Sequence, residues 1–168
     1  MKVLVIGAGN MGLAYAKALI KSEFLSKTSL MISDTDPKKT EELKQISRFD
    51  VHSNLDECLT KADIVFIAVK PYHTEGLFKD LKPLTNKDQV IESLMAGVTI
   101  KNIQDGLGVL KVVRAMPNLP AQVGKGLTSF TTSKEVSRLE TSTIQQLLNT
   151  TGKSVHLDTE NDIDASTG

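Results

Sequence analysis

The chain has 168 residues with 20 basic and 20 acidic side chains, and its zero net charge gives no support for binding to nucleic acid or to an anionic membrane. Apolar residues make up 40% of the chain, which is enough for one ordinary globular domain with a sizeable core. Cys58 is the only cysteine and excludes an internal disulfide, and the apolar run at the N-terminus is too short for a signal peptide or a membrane-spanning helix. We therefore expect a cytoplasmic protein, and we expect Cys58 to be structural because acidic neighbours disfavour a thiolate.

The first twelve residues contain a strand, a glycine-rich turn and the start of a helix. The apolar run Val3–Ile6 leads directly into a G-x-G-x-x-G sequence with glycines at positions 7, 9 and 12. In a dinucleotide-binding fold Gly7 allows the tight turn, Gly9 lets the backbone approach a pyrophosphate, and Gly12 lets the helix pack closely on the strand. Amide groups at the start of the helix would then point at the phosphates. We predict a dinucleotide site here, and the alternative is a strand-turn-helix unit without a ligand.

A second apolar strand, Ser29–Ser33, ends at Asp34, about twenty residues beyond the glycine turn, where dinucleotide folds place their ribose ligand. A carboxylate there accepts hydrogen bonds from both ribose hydroxyls and repels a 2′-phosphate, so Asp34 favours NAD over NADP. Lys38 and Lys39 argue in the other direction, because either could reach a phosphate. The alternative for Asp34 is an aspartate in an ordinary turn.

The rest of the chain alternates between strand patterns and helix patterns, which predicts a doubly wound, mostly parallel α/β sheet of the Rossmann type in a single domain. Asp36 and Asn54 are expected to cap helices, with Pro37 in the first position of one of them. Glu160–Asp162 is expected to be a turn. The remaining predicted strands are a short one near Val51 and residues 63–69, 89–94, 109–115, 127–132 and 153–157, and the remaining predicted helices are 55–61, 74–81, 100–107 and 136–148.

The ends of the later strands are candidates for the ligand cleft, since open α/β sheets bind ligands beyond the carboxyl ends of their strands. The buried strand that ends in Lys70-Pro71 predicts that both residues face the cleft, and a solvent-facing strand end is the alternative. Met95-Ala96-Gly97 either leaves room for a flat ring or simply makes a turn. The three histidines lack metal-ligand spacing, so we expect no metal site, and His73 has the best claim to lie near the cleft. No residue is identified as a catalytic acid or base.

Several motifs together resemble pyrroline-5-carboxylate reductase, and they occur in the same order as in that family. They are Gly7-Ala8-Gly9-Asn10-Met11-Gly12, Ala68-Val69-Lys70-Pro71, Ser93-Leu94-Met95-Ala96-Gly97-Val98, Arg114-Ala115-Met116-Pro117-Asn118-Leu119-Pro120, and Val123-Gly124 with Gly126. The resemblance covers the chain almost from end to end. It implies NAD(P)H-dependent reduction of 1-pyrroline-5-carboxylate to L-proline, the last step of proline biosynthesis.

The resemblance also implies which residues line the cofactor and how the chain is divided. Many family members prefer NADP, whereas Asp34 favours NAD, so the family alone leaves the cofactor open between NADP(H) and NAD(H). Residues 1–158 correspond to the dinucleotide-binding domain, and 159–168 to the start of a helical domain for substrate binding and dimerisation. From the motif and the resemblance together, the expected cofactor-binding residues are Ile6, Gly7, Ala8, Gly9, Asn10, Met11, Gly12, Asp34, Asn54, Ala68, Val69, Lys70, Pro71, Met95, Ala96 and Gly97.

Two other functions remain open at this point. The first is a dinucleotide-binding or sensing module without catalysis, and the second is a Rossmann reductase of another small substrate, such as a 3-hydroxyacid. The motif at 114–120 argues against the second. We expect the complete enzyme to be a homo-oligomer acting on a small molecule. The 168-residue chain alone is expected to have little or no activity and could be monomeric.

Overall fold

In the computed structural model, which describes residues 1–25, 29–46 and 49–166, strands and helices alternate along the chain. Within these residues eight strands form one sheet. The strands are β1 Val3–Ile6, β2 Leu30–Ser33, β3 Asp50–His52, β4 Ile64–Ile67, β5 Val90–Ser93, β6 Val112–Pro117, β7 Gly126–Thr132 and β8 Gly152–His156. The α-helices are α1 Asn10–Lys21, α2 Pro37–Gln45, α3 Thr74–Leu81, α4 Ile100–Leu107, α5 Arg138–Leu148 and α6 Glu160–Ala165.

The strand order is β3-β2-β1-β4-β5-β6-β7-β8, which confirms the doubly wound, mostly parallel sheet. From β1 the chain winds outward through β2 to β3, then crosses back to place β4 on the other side of β1. This crossing is the topological switch point of the sheet, where loops separate in opposite directions and leave a crevice. The exception to the parallel pattern is β7, which runs antiparallel to β6 and is followed by β8 in parallel.

Two apolar clusters cover the two faces of the sheet, because successive side chains of a strand point to opposite sides. Val3 and Val5 lie in the first cluster, with residues of α1 and α5. Leu4 and Ile6 lie in the second cluster, with residues of α3 and α4. Burial of each large apolar side chain contributes roughly 1.5–3 kcal/mol, so both helix layers are held firmly on the sheet.

The predicted helix caps are present. The Asp36 side chain accepts a hydrogen bond from the backbone N–H of Lys38, with Pro37 in the first helical position. Asn54 accepts a hydrogen bond from the backbone N–H of Asp56. These local features were predictable because a capping side chain acts within two or three residues of its own position.

Four predicted segments differ from the structure. Residues 55–61 form two 3-10 turns separated by Cys58, whose φ of −119° departs from helical values. The strand predicted for 63–69 stops at Ile67, and the strand predicted for 109–115 is displaced to 112–117 because its later residues pair with β7. The turn predicted at 160–162 is wrong, since these residues begin α6, which is capped by Thr159 and anchored by the buried Ile163.

Candidate functional site

A cleft of about 1040 Å³ lies where the carboxyl ends of β1, β2 and β4 meet, at the switch point of the sheet. Its walls come from the glycine turn, from the loop after β2, from the capped turn after β3, and from α3 with the segment leading into it. The residues that line it are Ile6, Gly7, Gly9, Ser33, Asp34, Thr35, Asp36, Lys39, Ser53, Asn54, Leu55, Asp56, Ala68, Val69, Lys70, Tyr72, His73, Gly76, Leu77, Lys79, Asp80, Pro83 and Leu84.

The three glycines of the turn have different surroundings. Gly7 has φ +98°, a conformation that side chains rarely adopt, and a β-carbon there would lie 2.9 Å from the carbonyl oxygen of Ala68. A β-carbon on Gly12 would overlap the carbonyl oxygen of Gly7, so α1 packs directly on the turn. Gly9 differs from both, because nothing lies within 4 Å of the β-carbon position and the residue faces the cleft. The predicted tight turn at Gly7 and the predicted close packing at Gly12 are confirmed.

Gly9 is also the N-cap of α1 and supplies no side-chain hydrogen bond to the first turn of the helix. The amide groups of that turn therefore need partners from outside the helix. Together with the positive end of the helix dipole, this makes the mouth of the cleft favourable for an anionic group.

Asp34 lies at the end of β2, beside the glycine turn. Its Oδ2 accepts a hydrogen bond from the backbone N–H of Ala8 at 2.7 Å, and its Oδ1 accepts one from the backbone N–H of Asp36 at 2.9 Å. The carboxylate therefore joins the turn after β1 to the turn after β2. Each of its oxygens can accept one more hydrogen bond, and the partly buried residue lines the cleft.

The wall opposite the glycine turn was largely missed by sequence analysis. Tyr72 and His73 lie side by side with ring centroids 4.3 Å apart, and Tyr72 is 80% exposed. Lys79 and Asp80 of α3 complete this wall. The tertiary placement of α3 brings Lys79 and Asp80 to the cleft, and no local motif indicates these two residues. The expectation that His73 lies near the cleft is confirmed.

Half of the sixteen predicted cofactor residues line the cleft, among them Asp34, Asn54 and Lys70, whereas Pro71 begins a 3-10 turn next to it. Met95 is 1% exposed and packs in the second cluster, while the neighbouring Ala96 and Gly97 are exposed beyond the end of β5. Within the described ranges, the predicted residues outside the cleft lining are Ala8, Asn10, Met11, Gly12, Pro71, Met95, Ala96 and Gly97.

Other kinds of site find no support in the part of the chain that the structure describes. Among residues 1–25, 29–46 and 49–166, no group of three or more His, Cys, Asp or Glu side chains could hold a metal ion. In the same ranges, none of the helices has the length and apolar character needed to cross a membrane. Burial raises the pKa of the Cys58 thiol to about 11, which keeps it protonated at neutral pH, as expected for a structural cysteine.

Comparison with known proteins gives one family and a consistent set of relatives. Residues 2–97 match the family described as NADP oxidoreductase, coenzyme F420-dependent. Pyrroline-5-carboxylate reductase of Escherichia coli strain K12 is 32% identical over 153 residues, covering 90% of this chain and 57% of that protein. The chain thus spans little more than half the length of this relative.

Solved structures agree with this comparison. A pyrroline-5-carboxylate reductase from Coxiella burnetii superposes with a TM-score of 0.92 at 24% identity, covering 99% of this chain and 62% of that one, which shows the fold. Plasmodium falciparum pyrroline carboxylate reductase, solved with NADP bound, superposes with a TM-score of 0.87 at 25% identity, covering 99% and 61%.

Proposed function

The chain belongs to the family described as NADP oxidoreductase, coenzyme F420-dependent, and from this premise we propose that it is the dinucleotide-binding part of an enzyme that reduces 1-pyrroline-5-carboxylate to L-proline. The resemblance to pyrroline-5-carboxylate reductase predicted from the motifs is confirmed for the N-terminal part of those proteins. The observation that carries the proposal is the cleft at the switch point, with Gly9 open on one wall and Asp34 at its edge.

The residues present fit a nicotinamide dinucleotide. A side chain at position 9 would occupy open space next to the uncapped first turn of α1, and a pyrophosphate has the charge and size for that space. The bound dinucleotide supplies the hydride for the reduction. In this proposal the chain's own residues bind and orient the cofactor and exclude water, and we assign no acid or base among them.

The proposal includes a preference for NADH over NADPH. Asp34 supports it, because a carboxylate at the end of β2 accepts ribose hydroxyls and repels a 2′-phosphate. Among the cations that line the cleft, Lys39 is the nearest to Asp34 in sequence, and it is the group that would favour the phosphorylated cofactor. The Plasmodium falciparum protein binds NADP, so the preference proposed here would distinguish this chain from that relative.

We further propose that residues 1–158 are the dinucleotide domain and that 159–168 open a helical domain for substrate binding and dimerisation. The share of each relative that the chain leaves uncovered supports this division. Thr167 and Gly168, which belong to the motif expected there, lie outside the described residues. The substrate would be a small molecule, and the cytoplasm would keep Cys58 reduced.

The division of labour is tested by two proteins, the chain alone and the chain fused to the C-terminal part of the Escherichia coli relative. We expect the chain alone to bind NADH or NADPH and to form almost no proline from 1-pyrroline-5-carboxylate, and the fusion to form proline readily. Rapid proline formation by the chain alone would contradict the proposed division. Binding by both proteins without turnover by either would favour a non-catalytic binding module.

A further inference from the structure

Glu92 is a buried carboxyl group on an interior strand of the sheet, and it is not among the residues that line the cleft. It lies on β5 and is 0% exposed, and both of its carboxyl oxygens lack a hydrogen-bond partner among the described residues. In register beside it are Phe66 on β4 and Val113 on β6, neither of which can form a hydrogen bond through its side chain. An ionised carboxylate in such surroundings is strongly disfavoured, and burial raises the pKa of Glu92 well above its usual range.

Tyr15 is the titratable side chain that faces Glu92 from α1, and it is itself 0% exposed. Its ring lies against Phe66 with centroids 5.6 Å apart, and its hydroxyl shares a hydrogen bond of 3.0 Å with Thr128 of β7. Burial raises the pKa of Tyr15 to about 12. Hydrogen bonds to Thr128 and Thr151 oppose this rise, and a negative charge on Glu92 adds to it. Tyr15 therefore keeps its proton throughout the physiological range.

Among the described residues, those that α5 and β7 contribute to the first cluster are apolar. From α5 the cluster receives Ile144, Leu147 and Leu148, and from β7 it receives Phe130. His156 stacks on Phe130 at 4.9 Å between ring centroids, but its side chain is exposed at the end of β8. A negative charge on Glu92 would therefore be compensated only if water or a hydrogen-bond donor reached it.

The helix above Glu92 is the one that begins at the glycine turn. Tyr15 lies on α1 only six positions after Gly9, the N-cap that faces the cleft. Movement of α1 away from the sheet would remove Tyr15 from the cluster beside Glu92, and it would also displace the amide groups at the mouth of the cleft. One helix thus contacts the surroundings of Glu92 and carries the glycine turn at its start.

We propose that Glu92 is a proton switch: α1 and its glycine turn pack firmly on the sheet while the buried carboxyl carries its proton, and loosen when it ionises. Dinucleotide binding consequently weakens as the pH rises through the ionisation of Glu92, a consequence that rests on the proposed function. The unfolded chain loses this proton near pH 4.5 and the folded chain loses it at a higher pH, so Glu92 destabilises the fold increasingly between those two values.

The first test compares urea unfolding of the wild-type chain and Glu92→Gln between pH 5 and 9. The glutamine has nearly the same shape but does not ionise, so we expect the folded-to-unfolded ratio of Glu92→Gln, relative to wild type, to rise about tenfold per pH unit until the buried carboxyl ionises. Tyr15→Phe is the matched control in the same cluster. We expect its loss of stability relative to wild type to be the same at every pH. Parallel profiles for wild type and Glu92→Gln would overturn the proposal. Should Glu92→Gln fold poorly, Glu92→Met replaces it, with the same expectation for the pH profile.

The second test follows NADH fluorescence of the same proteins at pH 7 and at a pH above the one where the first test shows Glu92 to ionise. We expect the wild-type chain to lose several-fold more affinity than Glu92→Gln over this interval, and equal losses would overturn the link to the glycine turn. Absence of NADH and NADPH binding at both pH values would contradict the proposed function instead. The unfolding profiles would then still decide whether the folded chain holds Glu92 in its protonated form, the part of the proposal that does not rest on the proposed function.

Discussion

At the scale of single residues, Asp34 has two tasks, and a comparison of NADH with NADPH isolates the one that concerns the cofactor. It holds the turns after β1 and β2 together through the backbone N–H groups of Ala8 and Asp36, and it would receive the ribose hydroxyls. Asp34→Asn removes the negative charge and, because only one of its two side-chain heteroatoms is an acceptor, it also loses one of the two hydrogen bonds to the turns. We expect it to lower the affinity for NADH relative to NADPH by about tenfold, the value of one charged hydrogen bond. Side-by-side titration of the two cofactors measures this ratio, and equal changes for both would show that Asp34 is not the ribose ligand.

Two substitutions in the glycine turn distinguish the packing role of Gly12 from the binding role proposed for Gly9. Gly12→Ala places a β-carbon on the carbonyl oxygen of Gly7 and should cost about 3 kcal/mol of unfolding free energy. Gly9→Ala meets no atom within 4 Å and should cost about 1 kcal/mol or less, since only the N-cap preference changes. Urea unfolding of both variants checks this difference. A Gly9→Ala chain as unstable as Gly12→Ala would mean that the space in front of Gly9 is filled in solution.

At the scale of elements, α6 is tied to the sheet by a buried arginine. Arg114 of β6 is 1% exposed, and its Nη1 and Nη2 donate to Glu160 at 3.2 Å and to Asp164 at 2.6 Å. Glu160 also accepts a hydrogen bond from the backbone N–H of Ile100, the first residue of α4. The cluster therefore fixes the direction in which the chain leaves the sheet after β8.

Removal of this arginine should loosen α6. Arg114→Met keeps most of the buried volume but leaves both carboxylates without the cation, so we expect a loss of about 2 kcal/mol and faster amide exchange in α6 than in β1. Lys111→Met is the control, because its ion pair with Glu140 is partly exposed on both sides and should contribute about 1 kcal/mol or less. Equal stability of the two variants would show that the Arg114 cluster does not hold α6.

Most elements were predictable from the sequence because their signals are local. The capped helix at Pro37 and the glycine turn depend on neighbouring residues, and both were placed correctly. The reversal of β7 against β6 was not predicted, because apolar periodicity carries no information on strand direction. The helix α6 was missed because a single apolar residue, Ile163, anchors its six residues, and the partners of its acidic side chains lie elsewhere in the chain.

The residues of the site show the same difference between local sequence signals and tertiary placement. Gly9 and Asp34 were found from the spacing of one motif, and both line the cleft. Lys79 and Asp80 reach the cleft only through the tertiary placement of α3, so spacing gave no indication of them. Sequence analysis did not single out Glu92, because a glutamate within a strand pattern does not reveal that both faces of the sheet around it are covered.

At the scale of the whole molecule, the sheet and the glycine turn meet at the cleft. The winding of the sheet outward from β1 in both directions opens a crevice at the strand ends, and the turn that begins α1 lies on its rim. The two apolar clusters hold the strands and helices that form this rim. We propose that this crevice binds a nicotinamide dinucleotide through the backbone at Gly9.

The most direct test is an NADH and NADPH titration of the wild-type chain and Gly9→Val at neutral pH, followed by nicotinamide fluorescence, with circular dichroism to confirm that both proteins are folded. We predict saturable binding by the wild-type chain, and no binding by a folded Gly9→Val chain, whose side chain fills the space meant for the pyrophosphate. Absence of binding by the wild-type chain, or unchanged affinity in Gly9→Val, would contradict the account.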